Sequence, residues 1–420
     1  MAARGKAGKT KKVAVAGGKD CFQDLPEPVL ELLLSFLPSR DAVRTSVLAR
    51  RWRTLWKSVP ALRFYPSQFD TVQAFNNFVN TLLEHRDRTS PLHECDIFPY
   101  PHGQEDEARR YVESWVQYAV SCQVYVLRVK DWSVSVYGSR LNLSSSSVIS
   151  KHLTRLEFYH LAFDRSPLDL LSCQALELLD IGDCSIKLWG VFPKSLRHLK
   201  IRDSSLYSMQ TPWSCFSAPG LLTFELADPH DWALFLESLP SLVTSFIRIG
   251  EDCEDNYAHY NYLGDSGNEL CEDNCCVFLE GLAGATNLEL ISEYSMIFRK
   301  DLKWCPMFSK LKTLLPNEWC LTANFTGLLH FLQHTPILEK LTLQLPSRKD
   351  FDIVSSRSYN PAEYFLVSKH LKEVEIHCSK EDEWICQIVK ILGIHGVTSA
   401  QISIKHDSWS SFRFSFQQPK

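Results

Sequence analysis

Residues 25–56 read LPEPVLELLLSFLPSRDAVRTSVLARRWRTLW, and this stretch decides how the chain begins to fold. Its first apolar residues are spaced 1, 3, 1 and 3 apart, which keeps one stripe of a helix apolar. Pro26 and Pro28 suit the start of that helix, because a missing N–H costs little there. Pro38 ends it, since the residue before a proline is pushed out of the helical region. The stripe consists of Val29, Leu30, Leu33, Leu34 and Leu37.

Two further helices are predicted in the same stretch. Ser39 can cap a second helix that places Val43 and Val47 four residues apart, on one face. Trp52 and Leu55, with the neighbouring Trp56, share a face of a third. Three helices in about 35 residues are too small to bury this much apolar surface internally. The sequence therefore implies a partner that covers it.

Residues 25–26, 33–38, 41–48 and 51–56 together resemble the plant type of F-box. The resemblance implies docking onto the Skp-type adaptor of an SCF ubiquitin ligase, which joins the chain to the cullin scaffold. The sequence does not separate adaptor-facing residues from residues that pack the helices together. By motif position the combined set is Leu25, Pro26, Leu30, Leu33, Leu34, Leu37, Val43, Val47, Leu48, Trp52 and Leu55.

Two other interpretations of this stretch stay open. The helices could form a small bundle that packs only on the rest of the chain. The basic residues could instead belong to a helix-turn-helix reader of nucleic acid. The apolar face is broad for such a reader, and the charges resemble a solvated side. The basic residues in question are Arg44, Arg50, Arg51, Arg53 and Lys57.

Composition excludes several classes of protein. The chain has 420 residues, of which 45% are hydrophobic and 22% charged, as in ordinary globular proteins. Residues 1–19 hold six Lys or Arg and no acid. Because the net charge of the chain is −4, the other residues carry a net charge of −10. The net negative charge of residues 20–420 argues against a nucleic-acid partner bound through a general basic field. We interpret residues 1–19 as a disordered basic tail, which could serve nuclear import or be merely solvated.

No secretory signal or apolar run of membrane-spanning length is present in the sequence. The sequence therefore predicts a soluble protein of the nucleus or the cytoplasm that does not bind a membrane. The 14 cysteines are scattered, and we expect them to stay reduced in such a compartment.

Beyond residue 60 the chain is organised by repetition. Two segments with helical spacing, 72–82 and 108–116, are each followed by a strand-like run, 92–98 and 124–129. An L-x-x-L-x-L pattern then recurs nine times, with start-to-start spacings of 23, 20, 25, 21, 43, 26, 27 and 33 residues. Most spacings lie near the roughly 20 to 29 residues of leucine-rich repeats. The repeats begin at Leu153, Leu176, Leu196, Leu221, Leu242, Ala285, Leu311, Leu338 and Leu371.

The chain after residue 20 is similar to the plant F-box/leucine-rich-repeat family. We predict an α/β fold in which a three-helix F-box, residues 20–60, precedes an irregular leucine-rich-repeat solenoid, residues 61–420. The solenoid would be a curved parallel sheet with helical or irregular return segments, since only Cys184 stands where a typical repeat places Asn or Cys. Residues 365–405 resemble an FBD-like region. A leucine-rich α/β core of another kind is the alternative.

Residues between the repeat leucines should project away from the core, on the inner curve. Their mixed signs suit a protein target better than a phosphate backbone. A solvated strand face without a ligand is the alternative. The candidate target-binding residues are Arg155, Glu157, Tyr159, His198, Lys200, Arg202, Arg248, Lys340, Glu373 and Glu375.

An acidic insertion at residues 251–276 fills the 43-residue spacing, and its eight acids between 251 and 273 should keep it exposed. Its cysteines at 253, 271, 275 and 276, with His259, lack the C-x-x-C spacing of a zinc knuckle. We therefore expect no metal and no cofactor.

No catalytic signature was found in the sequence. The preferred hypothesis is a non-catalytic substrate receptor of a ubiquitin ligase, which holds an unknown target protein on its repeats. A repeat scaffold, or a transcription-associated interaction module outside any ligase, is the alternative.

Overall fold

The structure is a computed structural model that describes residues 22, 24–100, 105–131, 140–163, 168–187, 190–207, 214–230, 234–250, 278–292, 305–321, 326–345, 370–379 and 383–406. The basic tail and the acidic insertion, with its candidate zinc ligands, lie outside these residues.

The chain begins with a helical module, Glu27–Lys57. It contains helices α1 (Glu27–Ser35) and α2 (Ser39–Arg44), followed by 3-10 segments Thr45–Val47, Arg50–Arg53 and Leu55–Lys57. As expected, Pro26 and Pro28 stand at the start of α1.

Two details of the module differ from the prediction. The expected third α-helix is replaced by two 3-10 segments. Ala49, directly before them, has an extended backbone (φ −157°), which ends the preceding helical turn. Ser39 is the first helical residue rather than the cap, which is Pro38. The Ser39 hydroxyl instead accepts a hydrogen bond from the Arg63 backbone N–H (2.8 Å). A tertiary contact has therefore replaced the local cap.

Among the described residues, thirteen parallel strands form the main sheet, in chain order from one edge to the other. Each of the nine predicted repeats supplies one strand, β4 to β12, so the predicted solenoid is confirmed. The strands are β1 (Ala61–Phe64), β2 (Glu94–Ile97), β3 (Val126–Lys130), β4 (Arg155–Tyr159), β5 (Leu178–Gly182), β6 (His198–Arg202), β7 (Thr223–Ala227), β8 (Thr244–Ile249), β9 (Asn287–Ser292), β10 (Thr313–Pro316), β11 (Lys340–Leu345), β12 (Glu373–Cys378) and β13 (Ile402–His406).

The return segments are helices, as predicted for part of them, or short strands, which the prediction of irregular segments did not include. Helices occur near the two ends: α3 (Val72–His85), α4 (Glu105–Ser121), α5 (Leu279–Leu282), α6 (Thr326–Gln333) and α7 (Glu383–Ile394). Short strands in the middle form a four-stranded sheet (Leu141–Asn142, Leu161–Phe163, Ser185–Lys187, Ser205–Tyr207) and a three-stranded sheet (Gly190–Val191, Ser214–Ser217, Leu234–Ser238). Further 3-10 segments are Pro66–Gln68, Ser145–Val148, Glu318–Leu321 and Ser399–Gln401.

The repeat leucines build one continuous core between the main sheet and the return segments. Backbone hydrogen bonds set the register, because the carbonyl before a strand accepts two N–H groups from the next repeat. The carbonyl of Thr154 accepts from Glu177 (2.8 Å) and Leu178 (3.0 Å). The carbonyl of Val243 does the same for Thr286 and Asn287 across the long spacing. Weak repeats are therefore held by the same bonds as strong ones.

Four consecutive strands, β4 to β7, end in the same left-handed turn. His160, Asp183, Asp203 and Asp228 have φ between 47° and 55°. Asp and His are enriched among the non-glycine residues that adopt this conformation. Each stands seven residues after the first leucine of its repeat, a signal that the sequence analysis missed. The backbone N–H of each bonds to a carbonyl on the next strand at 2.9–3.0 Å.

Neighbouring repeats approach each other closely at Gly220, in the turn before β7. A Cβ added there would lie 2.1 Å from the carbonyl oxygen of Lys194 in the preceding turn. Backbone cannot yield as the end of a side chain can, so the repeat spacing requires glycine here.

We predict that Gly220→Ala lowers the free energy of unfolding by about 2 to 3 kcal/mol through overpacking. Gly393→Ala is the matched control, because the added methyl in α7 would meet nothing within 4 Å. That change should raise stability by up to about 1 kcal/mol through helix propensity. Urea denaturation of both variants measures the difference; equal effects would contradict the assigned role of Gly220.

Candidate protein-interaction surfaces

The helical module has a small core of its own, made of Leu30, Leu34, Ala42, Leu55 and Val59. Three residues of the predicted adaptor set, Leu30, Leu34 and Leu55, are at most 4% exposed. They therefore pack the module together and are not available to a partner.

One tryptophan and one valine of the predicted set are half-buried. Trp52 packs against the module core and meets the Phe22 ring edge-on at 5.8 Å. Val43 packs instead against the core of the solenoid. Both residues fix the module in place more than they extend its surface.

The remaining members of the predicted set reach solvent. Leu33, Leu37, Val47 and Leu48 are exposed, with Val47 at 84% and Leu48 at 69%. Pro26 is also exposed, whereas Leu25 is half-buried. The structure thus separates the two roles that the sequence left combined.

The predicted adaptor set omits three exposed apolar residues in or directly after α1: Val29, which belongs to the predicted apolar stripe, Leu32 and Phe36. Their spacing of i, i+3 and i+7 places them on one side of the helix, and that spacing was the available signal. Half of the sixteen large, exposed apolar side chains among the described residues lie between residues 22 and 48. Exposed apolar surface of this density marks an interaction site.

Arg63 on β1 anchors the helical module to the solenoid. Its guanidinium donates to the carbonyl oxygen of Ser35, at the end of α1. The same guanidinium pairs with Glu94 (3.0 Å) and Asp96 (3.4 Å) on β2. One side chain therefore joins the module to the charged face of the main sheet.

The side of the main sheet away from the core is called the open face here. Across β1 to β4 it carries an ion network in which cations and carboxylates alternate in register. Arg128 bridges Asp96 (2.8 Å) and Glu157 (3.1 Å). Glu157 also pairs with Lys130 (2.6 Å) and Arg155 (2.6 Å).

In these pairs the carboxylates lie deep and the cations reach solvent. The side chain of Glu157 is 6% exposed, whereas that of its partner Arg155 is 45% exposed. Burial raises the pKa of Glu157, but the hydrogen bond and charge of Lys130 outweigh this effect and the pKa is lowered. Glu375 behaves alike: burial opposes ionisation, yet Lys405 and Lys340 hold its pKa at about 2.

The burial of these carboxylates corrects part of the predicted target-binding set. Glu157 and Glu375 position neighbouring cations and are too buried to contact a target directly. Lys200 and Arg202 also have partners, Glu225 (3.4 Å) and Asp180 (2.6 Å). Reversing charge at Lys200 or Arg202 would thus disturb the sheet as well as any contact with a target.

The other predicted residues remain on the open face or at its edge. His198 is exposed, and its Nδ1 lies 3.1 Å from the Thr223 hydroxyl. The Tyr159 ring covers Gly182, where an added Cβ would lie 2.9 Å from Cδ2. The last three predicted residues take part in ion pairs. Arg248 pairs with Asp228, and Lys340 and Glu373 pair with each other (3.1 Å).

An apolar cluster interrupts the charged residues in the middle of the open face. Ala227, Ile291 and Leu315 are at most 5% exposed, and Phe246 packs against them. They stand on β7 to β10 at positions where other repeats carry charge, a signal that the sequence analysis did not use. The open face therefore changes from charged to apolar along the array.

Three fully buried cysteines are not placed for nucleophilic chemistry. Burial raises the pKa of Cys184 to about 12, and it also raises the pKa of Cys95 and Cys320. Such thiols stay protonated at neutral pH and are inert. Among the described residues, His, Cys, Asp and Glu do not form a group of three that could hold a metal ion. In the same part of the chain, helices of the length and hydropathy needed to cross a membrane are absent.

The fold and these surfaces define a solenoid repeat protein that carries an N-terminal helical docking module. Residues 22–64 match the family model of the F-box domain. An FBD-associated F-box protein of Arabidopsis thaliana is 32% identical over 354 residues, which cover 77% of this chain and 76% of the relative. An F-box/FBD/LRR-repeat protein of the same plant is 27% identical over 86% of this chain and 84% of its own length. The chain belongs to the plant F-box/leucine-rich-repeat family.

We predict that Arg63→Met lowers the free energy of unfolding by about 2 to 3 kcal/mol, because partly buried carboxylates lose a charged donor. Hydrogen exchange should accelerate in α1 and β1 together. Arg44→Met is the control, since its only ion pair among the described residues is an exposed one to Asp41 (3.5 Å). It should cost less than about 0.5 kcal/mol. Similar losses from both variants would contradict the anchoring role.

Proposed function

We propose that this protein is the substrate-recognition subunit of an SCF-type ubiquitin ligase. The F-box docks onto a Skp-type adaptor and through it onto cullin, while the solenoid binds a target protein for ubiquitination. The chain itself supplies no catalytic group; it raises the concentration of target lysines near the conjugating enzyme. We expect it to act in the nucleus or the cytoplasm.

One observation carries the adaptor half of the proposal. Large apolar side chains on the F-box are exposed although the module has its own filled core. Leaving side chains such as Phe36 (70%) and Val47 (84%) in water forgoes about 1.5 to 3 kcal/mol each. A partner with an apolar face would recover that free energy. Matches to the F-box domain and to F-box/LRR-repeat relatives support a Skp-type partner.

The target half of the proposal rests on the open face. Cations such as Arg155 and Lys340 reach solvent there while buried carboxylates hold them in fixed directions. Side chains fixed in advance lose less conformational entropy on binding. The face extends over thirteen strands, which is ample for a protein ligand.

We predict that Phe36→Ala together with Leu48→Ala weakens adaptor binding by at least about 100-fold, because two anchors in one interface commonly carry 2 kcal/mol or more each. Thermal stability should hardly change, since both side chains are exposed. Titration calorimetry with a purified Skp-type adaptor measures the loss.

The matched control is Val243→Ala together with Met307→Ala, two exposed apolar residues of the solenoid. These changes should leave adaptor affinity unaltered. Wild-type affinity in the Phe36 and Leu48 variant would reject this docking surface. Leu34 is unsuitable for the test, because its side chain is buried and its loss would damage the module.

We predict that Arg155→Gln together with His198→Gln reduces capture of the target at least about tenfold without altering the melting temperature. Glu157 would keep Lys130 and Arg128 as partners, so the ion network should survive. Glu157→Gln should instead lower the free energy of unfolding by about 3 kcal/mol, since the half-buried cations Arg128 and Lys130 lose their counter-charge.

The target for this measurement would come from affinity purification with degradation blocked. Adaptor and cullin peptides in the same purification would support the ligase proposal, and their absence would count against it. Unchanged target capture by the Arg155 and His198 variant would place the binding surface elsewhere.

A further inference from the structure

We propose that the F-box meets its adaptor through an apolar centre beside a positive rim, and that the adaptor face is edged by carboxylates that steer association. This inference rests on the proposed function and specifies the chemistry of the partner. It concerns the rate and salt dependence of docking, which the apolar surface alone does not determine.

Charge is distributed unevenly at the F-box. Residues 42–69 hold six Lys or Arg and no acid, although the whole chain has a net charge of −4. Four of the six make contacts within the chain: Arg44 pairs with Asp41 (3.5 Å), and Lys57 lies over the Trp56 ring (5.6 Å). Arg51 donates to the carbonyl oxygens of Phe22 (3.4 Å) and Leu25, and Arg63 anchors the module to β2.

Three of the basic residues have exposed side chains. The Arg44 side chain is 71% exposed and stands one turn before Val47 and Leu48. Arg50 and Arg53 follow in the next segment and are also exposed. Neither of these two pairs with a carboxylate among the residues that the structure describes. The most exposed apolar side chains of the F-box thus stand between Arg44, whose exposed ion pair with Asp41 is weak, and the arginines at 50 and 53, which have no carboxylate partner among the described residues.

The acidic residues of α1 do not neutralise this rim. At 100° per residue, Glu27 and Glu31 lie on one flank of the buried stripe formed by Leu30 and Leu34. The exposed stripe that contains Phe36 lies on the opposite flank. Acidic and exposed apolar side chains therefore occupy different sides of the helix.

Rim charges act mainly on the encounter between two proteins. Complementary charge raises the association rate, and salt screens that effect over a Debye length of about 10 Å at 0.1 M. The dissociation rate depends instead on the buried apolar centre. A positive rim on this side therefore requires a negative one on the partner, and docking should be fast at low salt.

The test measures association and dissociation rates of the full chain with a purified Skp-type adaptor, between about 50 mM and about 500 mM salt. The wild-type association rate should fall roughly tenfold over this range. Arg50→Glu together with Arg53→Glu should lower the rate at low salt about tenfold and flatten its salt dependence. The dissociation rate should stay within a factor of about two.

Lys151→Glu together with Lys310→Glu is the matched control, because both lysines are exposed and lie on the solenoid. This control makes the same change in net charge and should leave the rates at wild-type values. Arg50→Gln together with Arg53→Gln should give an intermediate salt slope, which keeps the test valid if the reversal variant folds poorly.

Two negative results are distinguishable. A wild-type chain that binds the adaptor at a salt-independent rate, or reversal variants that bind faster, would overturn the positive rim and leave the proposed function intact. A wild-type chain that does not bind the adaptor under any salt condition would overturn the proposed function and this inference together.

Discussion

The guanidinium of Arg63 is the interaction on which the relation between the two surfaces depends. It holds the carbonyl end of α1 and, through Glu94 and Asp96, belongs to the ion network of the open face. Two other hydrogen bonds also join the F-box to the solenoid: the Ser39 hydroxyl accepts from the Arg63 backbone N–H (2.8 Å), and the Gln68 amide donates to the Asp41 carboxylate (2.7 Å). Together these contacts give the exposed apolar side chains of the F-box and the open face a fixed mutual orientation. In a ligase subunit that orientation would decide which lysines of a target reach the conjugating enzyme.

The rest of the solenoid follows from parallel stacking. Each repeat buries its leucines against its neighbours and passes a doubly accepted backbone carbonyl to the next strand. Side chains on the open face are then brought into register across the sheet, so a carboxylate such as Glu157 lies between cations of adjacent strands. Because opposite charges are paired in this way, many charged residues can stand on one face without strong repulsion between like charges. It also explains why carboxylates lie deep, since the longer Lys and Arg side chains can reach over them to water.

The two interaction surfaces differ in their physical design. On the F-box, exposed apolar side chains surround a small filled core, so binding free energy would come from covering them. On the open face the charged groups already have partners, and a target must compete with those pairs or add to them. The apolar cluster of Ala227, Phe246, Ile291 and Leu315 divides that face into chemically different parts. In a ligase subunit, adaptor docking would therefore be general in character, whereas the open face would distinguish among targets.

The sequence by itself determined the order of the elements. Proline positions and apolar spacing placed α1, and the recurrent leucine pattern predicted the strands β4 to β12 because core burial imposes its period locally. Tertiary structure alone decided the roles of individual side chains. Leu30 and Leu33 are equivalent by motif, yet only Leu33 is exposed, because packing of α1 against the rest of the module selects one side of the helix. Glu157 resembles a ligand contact until Arg128 and Lys130 of the neighbouring strand enclose it. Contacts between residues about 30 positions apart cannot be inferred from local spacing, since they depend on the register of the assembled sheet.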